Sequence, residues 1–235
     1  MIAQVFGALT MLVMLGVPFL VIWLSGRGNW AKMRQKARDR RQLILDTPTS
    51  PIRGWAGGHV EVKGRAVPTE QGLLCAPFSG RHAVYCLAQV LEQSGGEGTW
   101  FPIASEVTAR EFYVDDGSGE RARLIPTGAD FVLEAVEVFT PGPFKNPHRN
   151  CIAFLAQRGI STTTHFGFNR RLRFEESLVI PGDLIYAIGP SQRGTFGGSN
   201  ANEIIMFTQG PDPYQLVVTN TSEEALANRS WLRWK

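Results

Sequence analysis

The sequence predicts a mainly β (α+β) protein: an antiparallel, partly closed barrel or sandwich, preceded by one N-terminal transmembrane helix and followed by a short C-terminal helix. Three observations carry this. An uncharged, apolar run fills residues 5–24. From residue 52 onward, short segments alternate apolar and polar side chains, the period-two mark of half-buried strands. The 25 Gly and 14 Pro among 235 residues divide the body by turns rather than extending it into long helices.

Residues 1–4 read as an extracytoplasmic N-terminus and residues 5–24 as the transmembrane helix. About 20 residues at ~1.5 Å rise cover a hydrocarbon core of roughly 30 Å, and a helix satisfies its own backbone groups there. A cleaved signal peptide fits less well, because no basic stretch precedes the run and the run exceeds the usual ~7–15 residues. Residues 25–46 form a basic juxtamembrane helix, with Arg27, Lys32, Arg34, Lys36, Arg38, Arg40 and Arg41 opposed only by Asp39 and Asp46. The positive-inside rule places this side in the cytoplasm. The expectation is a single-pass membrane protein, N-terminus out and domain cytoplasmic, with the lipid bilayer as partner through residues 5–24. Much of the small net charge of +3 sits in the basic segment, so no global field for nucleic acid remains and no nucleic-acid partner is expected.

Residues 47–51, TPTSP, are a linker by their prolines and small hydroxyl residues. The β domain spans residues 52–220. HVEVKGRAV is a strand with Val60 and Val62 on one face and Glu61 and Lys63 on the other. HAVYCLAQVLEQ is a second strand, and TWFPIASEVTAREFYVDD gives one or two more. DDGSGE turns a hairpin between EFYV and ARLI. DFVLEAVEVF alternates again, PGPFKNPH is a loop, and CIAFLAQRGI fits either a short helix or a strand. RRLRFEESLVI, LIYAIG, EIIMF and YQLVV complete the strands. Residues 221–235 form an amphipathic helix, opened by a T-x-x-E capping box at Thr221 and Glu224.

The residues offer few routes to chemistry. His59, His82, His148 and His165 lie outside metal-motif spacing of one another, and Cys75, Cys86 and Cys151 form no CxxC, so no metal or cofactor is expected. Ser79 stands three residues before His82 with Cys75 nearby, a hydrolase option. The surrounding APFSGRH is not G-x-S-x-G and reads better as a tight turn. Glu175 and Glu176 are adjacent on a strand and therefore point to opposite faces, which removes them as a catalytic pair. Arg171 and Arg173 share the face of Glu175 in a same-face ion-pair ladder. Residues 173–189 read as a β-hairpin with Pro181 and Gly182 at positions i+1 and i+2 of a type II turn.

Four stretches in order, HVEVKGRAV, LLCAPFSGRHAVYC, REFYVDDGSGERARL and RFEESLVIPGDLIYAIGP, resemble the GIDE domain, also called BAM for "beside a membrane". The most specific matches are Phe112, Val114, Asp116, Ser118 and Gly119, and Glu175, Leu178, Pro181, Gly182, Asp183, Tyr186 and Gly189. In eukaryotic members this domain lies between two transmembrane helices and precedes a RING finger that carries ubiquitin or SUMO ligase activity. Three scattered cysteines cannot supply the roughly eight zinc ligands of a RING, so the resemblance carries over no catalytic residue. It implies a prokaryotic membrane protein whose β domain binds a protein partner or membrane-proximal ligand without catalysis. The alternative it implies is an E3 ubiquitin-protein ligase or ligase-like component. The loops GPFKNPHRN and GTFGGSN are the expected contact surfaces, and Trp231 and Trp234 are candidates for an interfacial contact.

Overall fold

Gly64 lies where two strands come closest, and that close approach organises the larger sheet. A Cβ at this position would meet the Asp115 carbonyl oxygen at 2.6 Å and Val114 Cγ1 at 2.8 Å. Only glycine lets β1 (Gly57–Pro68) lie against β6 (Phe112–Asp115), with which it pairs antiparallel from Arg65↔Asp115 to Pro68↔Phe112. Over Gly57–Arg65, β1 instead pairs with β11 (Leu184–Gln192). One strand therefore joins two neighbours along its length.

The computed structural model describes residues 47–94, 98–141, 147–164, 167, 169–194, 206–207 and 215–221. They belong to one unit, Thr47–Arg229. The remaining strands are β2 (Leu74–Cys75), β3 (His82–Ala83), β4 (Tyr85–Ser94), β5 (Thr99–Ala109), β7 (Arg121–Leu124), β8 (Asp130–Val132), β9 (Val136–Phe139), β10 (Leu172–Val179), β12 (Met206–Phe207) and β13 (Val217–Thr219). One helix, α1 (Arg149–Ala156), precedes β10. The strands form a seven-stranded sheet in the order β1-β6-β7-β12-β11-β13-β8, a four-stranded sheet in the order β5-β4-β10-β9, and the β2-β3 ribbon.

The mainly β reading holds. Several finer expectations are corrected. The sheets do not close into a barrel, because the strands are divided among three sheets and many are only two to four residues long. Nor is the pairing purely antiparallel: β12 runs parallel to β7, and β13 parallel to β8. Among the described residues no helix is long and apolar enough to cross a membrane, so the single-pass placement with a cytoplasmic domain is not supported. The expected transmembrane span 5–24, the expected basic helix 25–46 with Arg27, Lys32, Arg34, Lys36, Arg38, Arg40 and Arg41, and residues 222–235 of the expected C-terminal helix lie outside the described residues.

The stretch 173–189 is not a hairpin. Its first strand, β10, pairs with β4 and β9 in the four-stranded sheet, while its second, β11, belongs to the seven-stranded sheet. The turn between them is as expected: Asp183 N–H donates to the Ile180 carbonyl at 3.1 Å, and Gly182 takes φ 88°, the left-handed value that position i+2 requires. What sends the strands apart is the turn's outer hydrogen bonding. Gly182 N–H donates to the Ala66 carbonyl at 2.8 Å and Ala66 N–H to the Asp183 carbonyl at 2.9 Å. The turn is thereby attached to β1, and the chain changes sheet.

Two apolar clusters follow. One gathers Val60, Val62, Ala66, Phe112, Val114, Leu124, Ile185 and Ala187 around β1. The other packs α1 against the four-stranded sheet through Cys151, Phe154, Leu155, Val90, Leu172 and Phe174. The spacing of Cys151, Phe154 and Leu155, at i, i+3 and i+4, resolves CIAFLAQRGI as helix. Gly159, at φ 66°, ends it.

Glu61 departs from simple alternation. It is 0% exposed although it sits between inward-facing Val60 and Val62. The TPTSP segment covers its face: Thr49 forms a parallel bridge to Glu61, Ser50 N–H donates to the Glu61 carbonyl at 2.9 Å, and Thr49 Oγ1 donates to Glu61 Oε1 at 2.6 Å. The expected linker is thus docked on β1.

The Gly64 contact makes a direct prediction. Gly64→Ala should lower unfolding free energy by ~1–3 kcal/mol, the usual cost of overpacking. Gly194→Ala, where an added Cβ meets nothing within 4 Å, should stay within ~0.5 kcal/mol. Chemical denaturation of both variants measures this, and equal stabilities would contradict the close approach.

Candidate functional site

The segment APFSG builds its own support. Leu74 pairs with Ala83 and Cys75 with His82 in the β2-β3 ribbon. The turn between them is closed by Ala76 N–H to the Arg81 carbonyl and Gly80 N–H to the Ala76 carbonyl, each at 2.9 Å. Phe78 anchors it, with its ring edge-on to Phe154 at 4.9 Å and to Phe174 at 5.2 Å. Phe174 and Glu176 lie two residues apart on β10 and so face the same side. That side brings the Glu176 carboxylate beneath the turn, where it is 1% exposed. It accepts the Phe78 N–H at 2.7 Å, the Ser79 N–H at 3.3 Å and the Ser79 hydroxyl at 2.5 Å.

This arrangement bears on the hydrolase option. Ser79 Oγ donates to Glu176 and accepts the Arg81 N–H at 3.3 Å. Both functions of the hydroxyl are used in holding the turn, and His82 is exposed on the far strand of the ribbon. A triad needs the nucleophile bonded to its base and the base to an orienting group. Here the serine is bonded to a buried carboxylate that also holds backbone amides.

The thiols divide in two. Cys75 is exposed, its Sγ 3.5 Å from the Gly80 carbonyl. Cys86 and Cys151 are buried. Burial, reinforced by the Glu176 and Glu106 charges, pushes the Cys86 thiol up to about 12. Burial and the Glu176 charge push Cys151 up to about 11. Neither is a thiolate at neutral pH, so neither is a ready nucleophile. Among the described residues no group of three His, Cys, Asp or Glu side chains could hold a metal ion.

The residues that carry the expected GIDE resemblance mostly converge on β1 and its neighbours. Phe112 is fully buried in the larger core. Asp116 connects distant segments: its Oδ2 accepts the Ile52 N–H at 2.8 Å and its Oδ1 the Ser118 N–H at 2.9 Å. Burial pushes the Asp116 carboxyl up, but the hydrogen bonds from Ser118 and Ile52 outweigh it and hold the group below the usual carboxylate range. Gly119, at φ 94°, shapes the same turn between β6 and β7. Pro181, Gly182 and Asp183 form the sheet-changing corner, with Asp183 Oδ2 accepting the Ile180 N–H at 2.9 Å and Arg65 Nη1 donating to the Gly182 carbonyl at 2.9 Å. Tyr186 lies opposite Lys63, whose Nζ sits 5.0 Å from the ring centroid. Gly189 admits the Leu216 backbone, which a Cβ there would meet at 2.9 Å.

Glu175 lies apart from these, on the face of the four-stranded sheet opposite Glu176. Arg173 Nε approaches its Oε1 at 2.7 Å, and the Arg173 guanidinium lies 4.6 Å from the Trp100 ring. Of the expected ladder this rung is present, while Arg171 donates to Gln93 instead. Of the expected contact loops, residues 142–146 and 195–200 lie outside the described residues, as do Trp231 and Trp234. A cleft of about 480 Å³ is lined by Ser161, Thr163, Thr164 and Arg170. Arg170 is engaged with Glu92 through Nε and Nη2 and with the Ser161 carbonyl through Nη1.

The role that sequence reasoning misses is that of Glu176, which it weighs only as half of a carboxylate pair. The signal was available in the turn it supports: A-P-F-S-G leaves backbone amides without a ladder, and a buried turn needs an acceptor for them.

Two outcomes follow. Iodoacetamide at about pH 8 should alkylate Cys75 alone in the folded protein and all three thiols in urea; mass-spectrometric labelling of Cys86 or Cys151 without urea would contradict their burial. For Asp116, the folded carboxyl titrates below its unfolded value, so its contribution is present above about pH 3.9 and fades as pH falls through the folded value. The difference in unfolding free energy between wild type and Asp116→Asn should therefore shrink from about pH 6 to about pH 2.5. A pH-independent difference would remove the charged hydrogen bonds as its source. Compared with family models, curated proteins and solved structures, the chain finds no match in any of the three.

Proposed function

We propose that the chain is a GIDE/BAM-like, non-catalytic interaction domain that binds another protein. The observation that carries this reading is the use of Ser79 and Glu176 to close a buried turn. The groups that would have to react are structural, and the buried thiols are protonated. The signature residues also favour an architectural role: Asp116, Gly182, Asp183 and Gly189, like Gly64, each serve a backbone approach or a turn. Exposed apolar side chains at Phe101, Val107, Val136, Ile152 and Leu184 supply contact material that a partner could cover. No observation favours the ligase alternative.

The test uses the full chain. A partner isolated by crosslinking should bind the purified chain directly and saturably, and Ser79→Ala should keep that affinity within about twofold, since the serine contributes to a turn rather than to chemistry. Ester or peptide turnover that Ser79→Ala abolishes, or a fluorophosphonate adduct at Ser79, would replace the reading with a hydrolase.

A further inference from the structure

Among the described residues the four-stranded sheet ends in an open edge. β5 (Thr99–Ala109) is an outer strand in the order β5-β4-β10-β9 and pairs with β4 alone among the described residues. Outer strands present unpaired N–H and C=O groups, and proteins normally blunt them by shortness, Pro, Lys or bulges. The opposite edge, β9, has four residues and a register shift against β10. In the larger sheet, β8 has three residues. β5 has eleven. Its Pro and its register shift are confined to its first part, at Pro102 and against Val90/Leu91, and Glu106 is the one charge in the second. From Ala104 to Ala109 the pairing with Val90 to Tyr85 is regular, and the segment ASEVTA contains no Pro, Lys or Gly.

The phase of the hydrogen bonds fixes which groups face outward. Tyr85 pairs with Ala109, so Arg110 stands opposite Val84, and Arg110 N–H donates to the Val84 carbonyl at 2.8 Å. In an antiparallel pair the bonding positions alternate. Thr108 and Glu106 therefore bond to β4, while the backbone groups of Val107 and Ser105 point away from it. Val107 is 60% exposed and Phe101 47%. The side-chain pattern also selects the partner: Ser105 and Val107 stand on one face, while Glu106, on the other, is paired through Oε2 with Arg158 of the segment after α1 and keeps 47% of its side chain exposed.

We infer that Ala104–Ala109 is a strand-addition site for an extended segment of another protein, with an apolar β-branched residue opposite Val107 and a basic residue opposite Glu106. Main-chain bonds to Ser105 and Val107 supply affinity, and the alternating side chains supply choice. This deepens the protein-binding reading and rests on it. A partner that binds the chain elsewhere would leave that reading standing and remove this site.

The probe is the acetylated peptide amide Thr-Thr-Val-Lys-Thr-Val, written antiparallel to residues 104–109. Hydrogen exchange of the full chain with this peptide should slow at the amides of Ser105 and Val107. The same peptide N-methylated on alternate residues should bind about tenfold more weakly, a loss of one or two ladder bonds. Val107→Pro removes one outward donor without touching the ladder to β4 and should weaken binding about tenfold, while Val107→Thr keeps the amide and should bind within about twofold. Equal binding of the N-methylated peptide, protection elsewhere on the chain, or no binding at millimolar peptide would each overturn the site. Peptide-independent protection of Ser105 and Val107 that grows with protein concentration would make a second copy the occupant and overturn it as well.

Discussion

The two hydrogen bonds that Ala66 exchanges with Gly182 and Asp183 determine the path of the second half of the chain. Without them, Pro181 and Gly182 would close an ordinary hairpin, and β10 and β11 would pair. With them, the corner is attached to β1, β11 continues along β1 from Arg65↔Leu184 to Gly57↔Gln192, and β10 is released to pair with β4. The turn's internal geometry is local, but its placement is tertiary: Gly182 supplies the positive φ, and Ala66 supplies the partner. The glycines at 64 and 189 serve the same strand pair from either side, one admitting Asp115 and the other Leu216.

Three acidic residues perform a second task that the ladders cannot. Glu61 holds Thr49, Asp116 holds the Ile52 amide, and Glu176 holds the Phe78 and Ser79 amides. In each case a segment without regular strand partners is satisfied by a carboxylate from a distant strand or turn. Buried amides without acceptors are costly, and a carboxylate with two oxygens can take several at once. The cost is the removal of charge from water, which explains why each of these acids has donors directed at it. Exposed pairs such as Arg121 with Asp115 contribute far less, being screened by solvent.

Local pattern made much of the β domain legible before its structure was known. The strands at 57–68, 85–94, 172–179 and 184–192 follow from alternation, and the turn from Asp115 to Glu120 follows from its Asp, Gly and Ser content. What was not legible depends on pairing between distant residues. Glu61 was expected outside because alternation places it opposite Val60 and Val62. It is buried because TPTSP, apparently only a linker by composition, lies over it. Glu176 was correctly separated from Glu175 by strand parity, but parity does not say that a turn nearly a hundred residues earlier covers one of the two faces. The parallel pairs of β12 with β7 and of β13 with β8 join segments too far apart for any window of sequence to show.

The residues singled out in the sequence serve the architecture. Phe112 fills the core, Asp116 fastens Ile52, Pro181 through Asp183 turn the corner, and Gly189 clears space for Leu216. Each of these residue types is required by a backbone or packing condition that would apply whatever the domain bound. Function resides in sites placed on such a frame rather than in the frame itself. Glu175 and Leu178 lie on β10 in the four-stranded sheet, apart from the β1 junction, and Leu178 packs against the second apolar cluster. Glu175 pairs with Arg173, whose guanidinium lies beside Trp100, on the face of the four-stranded sheet opposite Glu176, and β5 is that sheet's outer strand among the described residues. The frame and the open edge thus occupy different sheets, so sequence changes in ASEVTA could alter what is recognised while leaving the Ala66 corner intact.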